Sequence, residues 1–434
     1  MFSRNHDSVI TVREFGLLVN GGELSSIDCH SLPSKAFEWL LVNGQSHNQE
    51  SVDLIKVKKH GRSIALQVIN YIGVLETPCG TRIEILPKIV DKEERETATQ
   101  VLLKMLSTVH KLSMHSFENS SLQTLNQPLF EILMGYFLTE VSGVIKKGIR
   151  SHYTKVQARR AYLKGQLQTS KQINQRPGCL NRFHIAYDEF SPDRVENRLI
   201  RSALAQVMKW SKNSDNLRLG SELQFALDAI PCSGNHALDF RQWSNERSLI
   251  HYRAVKSWCE LILSTQSPVS FSGQHHGISM LFPMESLFER YVAIQLGKAL
   301  PHTLQLKTQA NTHSLVTHTP LSGNPQEWFK LKPDLVVSDA NSHEPLYVAD
   351  TKWKRINEKL GTAKQKYGIS QSDMYQMLAY GQNYLAGSGV VYLIYPAYEH
   401  FNEPLPEFRF NETLSVRVIP YDLINDDCEL LSRQ

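Results

Sequence analysis

Hydrophobic and polar positions follow three successive patterns along the 434-residue chain. Over residues 1 to about 90, short β-branched runs are broken by turn signals at His60-Gly61 and Thr77-Pro78-Cys79-Gly80, which is typical of hairpins. From about 120 to 265, apolar residues recur every three or four positions, which predicts helices. We therefore predict an α+β multidomain protein with a β-rich N-terminal domain over 1–120 and a helical middle region over 121–265.

The third pattern, over 266–434, alternates between helical and strand-like segments and predicts a C-terminal α/β domain. In the second helical segment, Ser370 and Asp373 have capping-box spacing, and Gly387 or Gly389 can end the helix. A loop-like stretch, Ser264–Gly277, is the candidate linker before this domain. The segments give the order α-β-β-β-α-β and read MESLFERYVAIQLGKAL, TLQLKT, LKPDLVVSD, PLYVADTKW, SQSDMYQMLAYGQNYLAGSG and VVYLIYP.

The strand PLYVADTKW carries two charges inside an apolar segment. Asp350 and Lys352 are two residues apart, so a strand would project both from the same face. Because burying either charge unpaired costs roughly several kcal/mol, something must compensate them. An ion pair could do so, and so could a divalent metal with a phosphate. Both interpretations remain open at this point.

Neighbouring segments add further polar groups to this strand. Asp334 would lie beside Asp350 if the two strands pair across the loop 339–345, and Glu289 on the preceding helix is a possible extra carboxylate. Mg²⁺ takes one or two protein carboxylates and completes its shell with water and phosphate. Gln376 and Tyr380, four residues apart, share one face of the following helix; without the neighbouring strand motif, an ordinary amphipathic helix would be the preferred explanation.

The middle region contains a one-sided run of charge. No acidic residue occurs between Glu140 and Asp188, whereas a solvated helix face normally mixes both signs. Lysine and arginine contacts to phosphates give sequence-independent affinity for DNA. The run predicts a DNA-backbone surface or a surface for an acidic or nucleotide-bearing partner, unless it is a basic surface with no specific role. The candidate DNA-binding residues are Lys146, Lys147, Arg150, Lys155, Arg159, Arg160 and Lys164.

Composition excludes several classes of protein. The formal charge of +4 permits a nucleic-acid partner without requiring one. The six cysteines contain no C-x-x-C pair, which argues against a zinc ribbon. No apolar run is long enough to cross a membrane and no signal peptide is evident, so we expect a soluble cytoplasmic protein. The one Gly-Lys pair, Gly297-Lys298, precedes alanine, so no P-loop is predicted.

Three other features are better explained by structure than by a functional site. His275-His276 has no nearby ligand cluster in the sequence, so we expect a loop pair and not a metal site. Trp328 and Trp353 flank the charged strands, and we expect both to pack against neighbouring side chains and not to stack on bases.

Five motifs in order, LFERYV, KPDLVV, YVADTKWK, SDMYQMLAYG and LIYP, resemble the McrC family. The segments IEILPKI and KKGIRSHY…YLKGQL extend the resemblance over most of the chain. The C-terminal domain resembles the PD-(D/E)xK restriction-endonuclease-like core, with Q-x-x-x-Y spacing similar to the RecB-type branch. By this resemblance Asp334 and Asp350 are metal-binding acids and Lys352 is the catalytic lysine. Gln376 and Tyr380 form an auxiliary motif, and Asp350 stands where many members of the wider fold have glutamate.

The resemblance implies a Mg²⁺-dependent endonuclease subunit of a McrBC-type restriction system that cleaves cytosine-modified foreign double-stranded DNA. It also implies a McrB-like AAA+ GTPase hexamer as partner, which binds the GTP and is stimulated by the N-terminal domain. The predicted hairpin Val57–Ser63, with Lys58, Lys59 and Arg62, is a candidate for that stimulation. Two alternatives stay open: a stand-alone repair or recombination nuclease, and a non-enzymatic DNA-binding adaptor.

Overall fold

The computed structural model describes residues 9–22, 25–44, 53–61, 63–88, 95–113, 127–176, 178, 181–264, 279–321 and 323–432. Contacts divide the chain into two compact units. The first comprises Met1–Val109, Ser121–Leu129 and Gln266–Gln434, and the second comprises His110–Ser120 and Phe130–Thr265. The first unit therefore combines both ends of the chain, while the three-domain division predicted above stays a prediction. Within the described ranges, no helix is both long and apolar enough to span a membrane.

The N-terminal part of the first unit is built mainly of short strands, as predicted. A five-stranded sheet has the order β3-β4-β2-β6-β5. The elements of this N-terminal part, in chain order, are β1 (Ile10–Arg13), β2 (Leu17–Asn20), β3 (Ser25–Ser26), β4 (Cys29–Leu32), α1 (Ser34–Asn43), β5 (Ile55–His60), β6 (Ser63–Val68), β7 (Tyr71–Glu76), β8 (Arg82–Leu86) and α2 (Arg95–His110).

Both predicted hairpin turns are confirmed. Strands β5 and β6 pair in antiparallel register from Ile55↔Val68 to His60↔Ser63, and Gly61 adopts a φ of 59° in the turn between them. Strands β7 and β8 meet at Thr77–Thr81, where the Thr77 amide donates to the Thr81 carbonyl over 2.9 Å. Gly80 has a φ of 83° there, a left-handed conformation that costs glycine little.

The second unit contains the helices that the sequence predicted and one sheet that it did not. The three-stranded antiparallel sheet has the order β10-β11-β9. Strand β9, HYTKVQARR, carries mostly exposed polar residues, so it had no hydrophobic periodicity that predicted a strand. The elements are α3 (Leu129–Lys146), β9 (His152–Arg160), β10 (Gln166–Leu167), α4 (Thr169–Ile173), β11 (Phe183–Ser191), α5 (Val195–Trp210), α6 (Ser214–Ala226), α7 (His236–Gln242) and α8 (Arg253–Ser264).

The C-terminal part of the first unit contains a mixed six-stranded sheet in the order β13-β16-β17-β18-β20-β19. A separate two-stranded sheet, β14-β15, is inserted between β13 and β16. The elements are β12 (Ser279–Pro283), α9 (Met284–Ala299), β13 (Leu304–Thr308), β14 (His313–His318), β15 (Gln326–Leu331), β16 (Leu335–Asp339), β17 (Pro345–Thr351), α10 (Gln371–Tyr384), β18 (Gly389–Pro396), β19 (Phe408–Arg409), β20 (Leu414–Tyr421) and α11 (Glu429–Ser432).

The predicted α-β-β-β-α-β order is found in α9, β13, β16, β17, α10 and β18, with the β14-β15 hairpin as an insertion. Strands β16 and β17 are antiparallel neighbours, as predicted, and β17, β18 and β20 run parallel. The capping box of Ser370 and Asp373 at the start of α10 is confirmed. The Gly387 amide, at a φ of 76°, donates to the Gly381 carbonyl over 3.0 Å and satisfies the end of that helix.

One sheet combines strands from the N-terminal and C-terminal parts of the first unit. Strand β12 pairs antiparallel with β7, which completes a four-stranded sheet of order β1-β8-β7-β12. Gly73 of β7 has a φ of 122°, and a Cβ there would lie 2.0 Å from the Met280 carbonyl oxygen. This close approach of β12 therefore requires glycine at position 73. The candidate linker Ser264–Gly277 lies outside the described residues apart from Ser264 itself.

Candidate functional site

The β16–β17 hairpin brings Asp334 next to the end of β17. Leu335 pairs with Ala349, so Asp334, one residue before β16, lies beside the residues that follow Ala349. The Asp334 Oδ2 atom accepts hydrogen bonds from the Thr351 amide over 2.8 Å and from the Thr351 hydroxyl over 2.7 Å. These two bonds fix the orientation of the carboxylate, because both come from one rigid strand end.

Asp350 and Lys352 lie on the same side of the chain, as the strand period predicted. The Lys352 Nζ atom is 2.5 Å from Asp350 Oδ2, and the Asp350 side chain is only 1% exposed. Among the described residues, this buried oxygen has no partner with normal hydrogen-bond geometry besides that ion contact. The ion pair that the sequence left open is therefore present, and it leaves coordination capacity on the Asp350 carboxylate.

Gln309 connects Glu289 to Asp334. The Gln309 side-chain Nε2 donates to Glu289 Oε1 and, over 3.4 Å, to Asp334 Oδ1. The backbone amide of Gln309 donates to the backbone carbonyl of Asp334 over 2.9 Å. Gln309 has a φ of 48°, a conformation that costs a non-glycine residue about 1–3 kcal/mol and is concentrated at functional sites. Sequence reasoning missed this residue, because a glutamine after a strand carries no local signal of its contacts.

Gln376 and Tyr380 are joined to each other and to the chain just before Asp334. The Gln376 Nε2 atom donates to the Tyr380 hydroxyl oxygen over 2.6 Å, and that hydroxyl donates to the Lys332 carbonyl over 2.9 Å. Tyr380 is 2% exposed and belongs to the core between α10 and the sheet. Gln376 and Tyr380 thus contact each other on one helix face, as predicted, and Tyr380 fixes the chain just before β16.

The three carboxyl groups have raised pKa values. Burial and the nearby Asp334 charge together raise the pKa of Asp350 to about 7, against the opposing effect of Lys352. Burial also raises the pKa of Asp334, with the Thr351 hydrogen bonds acting in the opposite direction. Burial and the Asp334 charge together raise the pKa of Glu289. The cluster therefore holds more negative charge than Lys352 alone compensates, which favours an additional cation.

The donor set is compatible with Mg²⁺. No three histidine, cysteine or acidic side chains within the described ranges form a ready metal cage. Mg²⁺ does not need one, since it is commonly held by one or two carboxylates together with water and phosphate oxygens. Asp334 and the incompletely satisfied Asp350 carboxylate fit that pattern, with Glu289 held nearby by Gln309.

The seven basic candidates are all exposed, but they do not share one face. Lys146 ends α3, and Lys147 and Arg150 follow it. Lys155 and Arg159 lie on one face of β9, whereas Arg160 projects to the other. Strand β11 places Asp188 opposite Lys155, so the acid-free run in the sequence faces an acid from a neighbouring strand. Lys164 lies over the Tyr187 ring, 4.2 Å from its centroid.

The two tryptophans behave differently. Trp353 is buried, packs against Phe288 at a centroid distance of 5.3 Å and donates to Glu14 Oε2 over 2.6 Å, which confirms the packing prediction. Trp328 also packs against a neighbouring side chain, the His318 ring at a centroid distance of 4.2 Å, but it is 40% exposed because the hairpin that carries it lies outside the six-stranded sheet. His275-His276 and Arg62 lie outside the described residues, while Lys58 and Lys59 are exposed on β5.

Comparisons with known proteins identify similar chains. A family profile described as "McrBC 5-methylcytosine restriction system component" matches residues 66–396. One similar solved structure is a refined half-complex from a tetradecameric assembly of Thermococcus gammatolerans McrB AAA+ hexamers with bound McrC. The TM-score is 0.70 at 19% identity, covering 98% of this chain and 97% of that chain. Another is a cryo-EM structure of the Thermococcus gammatolerans McrBC complex, with a TM-score of 0.52 at 20% identity, covering 68% and 88%. No curated protein matches.

Proposed function

The chain belongs to the McrBC 5-methylcytosine restriction system component family, and from this premise we propose that it is the endonuclease subunit of such a system. It would cleave foreign, cytosine-modified double-stranded DNA by Mg²⁺-dependent hydrolysis of the phosphodiester bond. The observation that carries this proposal is the convergence of Asp334, Asp350 and Lys352 at one end of the β16–β17 hairpin. A C-terminal PD-(D/E)xK core is part of the proposal.

Each residue of the set has a distinct role. Asp334 and Asp350 would hold Mg²⁺, which polarises a phosphoryl oxygen and lowers the pKa of an attacking water. Lys352 keeps its positive charge, because the ion pair with Asp350 raises its pKa although burial acts in the opposite direction. Its ammonium group is thus available to stabilise negative charge that develops on the phosphate and to position the nucleophile.

Residues around the set keep it in place. Thr351 orients the Asp334 carboxylate with two hydrogen bonds. Gln309 holds Glu289, the possible additional carboxylate, close to Asp334. The Gln376–Tyr380 pair anchors the Lys332 carbonyl two residues before Asp334. Such supporting contacts restrict the movement of the reacting groups, and their loss typically costs about 10–100-fold in metal affinity or activity.

A partner would supply the nucleotide chemistry. One similar solved structure contains McrB AAA+ hexamers with bound McrC, so we propose that this chain likewise binds an AAA+ GTPase hexamer, which would bind GTP. The exposed Lys58 and Lys59 on the β5–β6 hairpin remain candidates for stimulating that GTPase. The basic residues of the second unit would contact the DNA backbone, and a cytoplasmic location is part of the proposal.

The test uses the full chain co-purified with the AAA+ protein encoded beside it. Cleavage of plasmids with and without 5-methylcytosine is measured with and without GTP and Mg²⁺, and Asp350→Asn serves as the matched control. We expect cleavage only with partner, GTP and Mg²⁺, and none with the variant. Cleavage without partner and GTP would favour a stand-alone repair nuclease, whereas DNA binding without cleavage under every condition would favour a non-enzymatic adaptor.

A further inference from the structure

The β14–β15 hairpin projects from the candidate site. It follows Gln309 by a few residues, and its second strand ends at Leu331, three residues before Asp334. The Tyr384 hydroxyl contacts the Ala310 and Leu331 carbonyls at 3.1 and 3.2 Å, and the His313 ring packs on the Tyr384 ring at a centroid distance of 4.5 Å. The base of the hairpin is therefore anchored to α10.

Beyond its base, the hairpin exposes an apolar surface. Most of its strand residues are exposed, and within the described part of the chain the two strands pair with no other strand. Phe329 is 70% exposed at a φ of 57°, which is uncommon for a bulky residue. Isolated two-stranded hairpins are marginally stable in water. Val316 and Trp328 are direct cross-strand partners, and such exposed apolar pairs can mark interaction sites. The exposed apolar residues are Leu315, Val316, Leu321, Trp328 and Phe329.

The charge of this segment favours a polyanionic partner. Between Leu300 and Pro333 the one acidic residue is Glu327, against three lysines and three histidines. Glu327 Oε2 accepts a hydrogen bond from the Ser314 hydroxyl over 3.2 Å. All three lysines are exposed: Lys330 on β15 and Lys332 just after it precede Asp334, and Lys307 lies on β13, which pairs with β16.

We propose that the β14–β15 hairpin is a DNA-contacting arm beside the scissile phosphate. Lys330 and Lys332 contact backbone phosphates, and Trp328 and Phe329 make apolar contact with a groove or a base step. This inference rests on the proposed function, because the hairpin ends three residues before Asp334, where the phosphate would bind. The same continuity with the site, together with the positive charge, favours DNA over a protein as the occupant.

A photo-crosslinking experiment tests the arm without requiring cleavage. Duplex DNA substituted with 5-iododeoxyuridine is bound in EDTA by the full chain, alone and in complex with its AAA+ partner, and irradiated. Mass spectrometry then identifies the crosslinked peptides. We expect a crosslink to the peptide that contains Trp328 and Phe329. The double variant Trp328→Ala, Phe329→Ala should lose that crosslink and bind DNA about tenfold more weakly by fluorescence anisotropy. Phe225→Ala, an 85% exposed residue on α6, is the control and should bind normally.

The outcomes separate this inference from the proposed function. Crosslinks confined to other peptides, with the double variant binding and cutting DNA normally, would overturn the arm while leaving the nuclease intact. If the double variant lost the AAA+ partner but kept its DNA affinity, the surface would be a protein interface and the inference wrong. A crosslink at Trp328 or Phe329 in a chain that never cleaves would support the arm and count against the nuclease.

Discussion

A buried acid in the N-terminal part should control the pH dependence of stability. Glu14 is 1% exposed, and its Oε2 accepts from Trp353 Nε1 over 2.6 Å. Burial raises the Glu14 pKa from 4.5 to about 7, outweighing the Trp353 hydrogen bond, while the Glu285 charge adds to the rise and Lys88 opposes it. The Glu14 carboxyl is therefore protonated in the folded chain at a pH where it is ionised in the unfolded chain.

The sign of the effect follows from proton binding. Because the folded state holds this proton more tightly, the free energy of unfolding falls as pH rises from about 4.5 to about 7 and is level above that. A difference of 2.5 pKa units corresponds to about 3 kcal/mol at 1.36 kcal/mol per unit. In Glu14→Gln the amide oxygen can still accept from Trp353 but carries no charge. The variant should thus be more stable than the parent by up to about 3 kcal/mol at pH 8, and by much less at pH 5.

Urea denaturation of both proteins between pH 5 and 8.5, followed by tryptophan fluorescence, measures this difference. Glu38→Gln, at an exposed position on α1, is the matched control and should follow the parent at every pH. Parallel stability curves for Glu14→Gln and the parent would refute the reasoning, because they would mean that Glu14 does not exchange a proton on folding.

Three further predictions concern the site and the basic surface. Asp350→Asn should lower GTP-dependent cleavage at least about a thousandfold while co-purification with the partner is retained; cleavage at the parent rate would remove Asp350 from the metal site. Gln309→Ala should weaken the binding of Mn²⁺, used as a probe for the Mg²⁺ site, in calorimetry, and slow cleavage by about 10–100-fold. An unchanged affinity for Mn²⁺ would mean that Gln309 does not support the metal site. Reversing the charges of Lys155 and Arg159 with glutamate should weaken DNA binding and flatten its salt dependence. Glu222→Lys, at an exposed position of α6, is the charge control. An unchanged salt dependence in the double variant would exclude these two residues from the DNA-binding surface.

Much of the candidate site could be predicted because its signals are local. The strand period put Asp350 and Lys352 on one side, and the structure pairs them at 2.5 Å. Residue spacing predicted the capping box of Ser370 and Asp373, and both bonds form. The motif resemblance to McrC is confirmed by the family match. The ion pair and the capping box each depend on residues within about one element of each other, where side-chain direction follows from backbone geometry.

What only the tertiary structure decided involves residues far apart in the chain. Glu14 and Trp353, separated by 339 positions, meet in one compact unit that combines both ends of the chain. Gln309 reaches Glu289 and Asp334 through a left-handed backbone that its sequence does not indicate. Asp188 faces Lys155 across an unpredicted sheet, and Trp328 is exposed on an inserted hairpin. Periodicity reports which side of an element a residue occupies, but its partner on that side is set by how the whole chain packs.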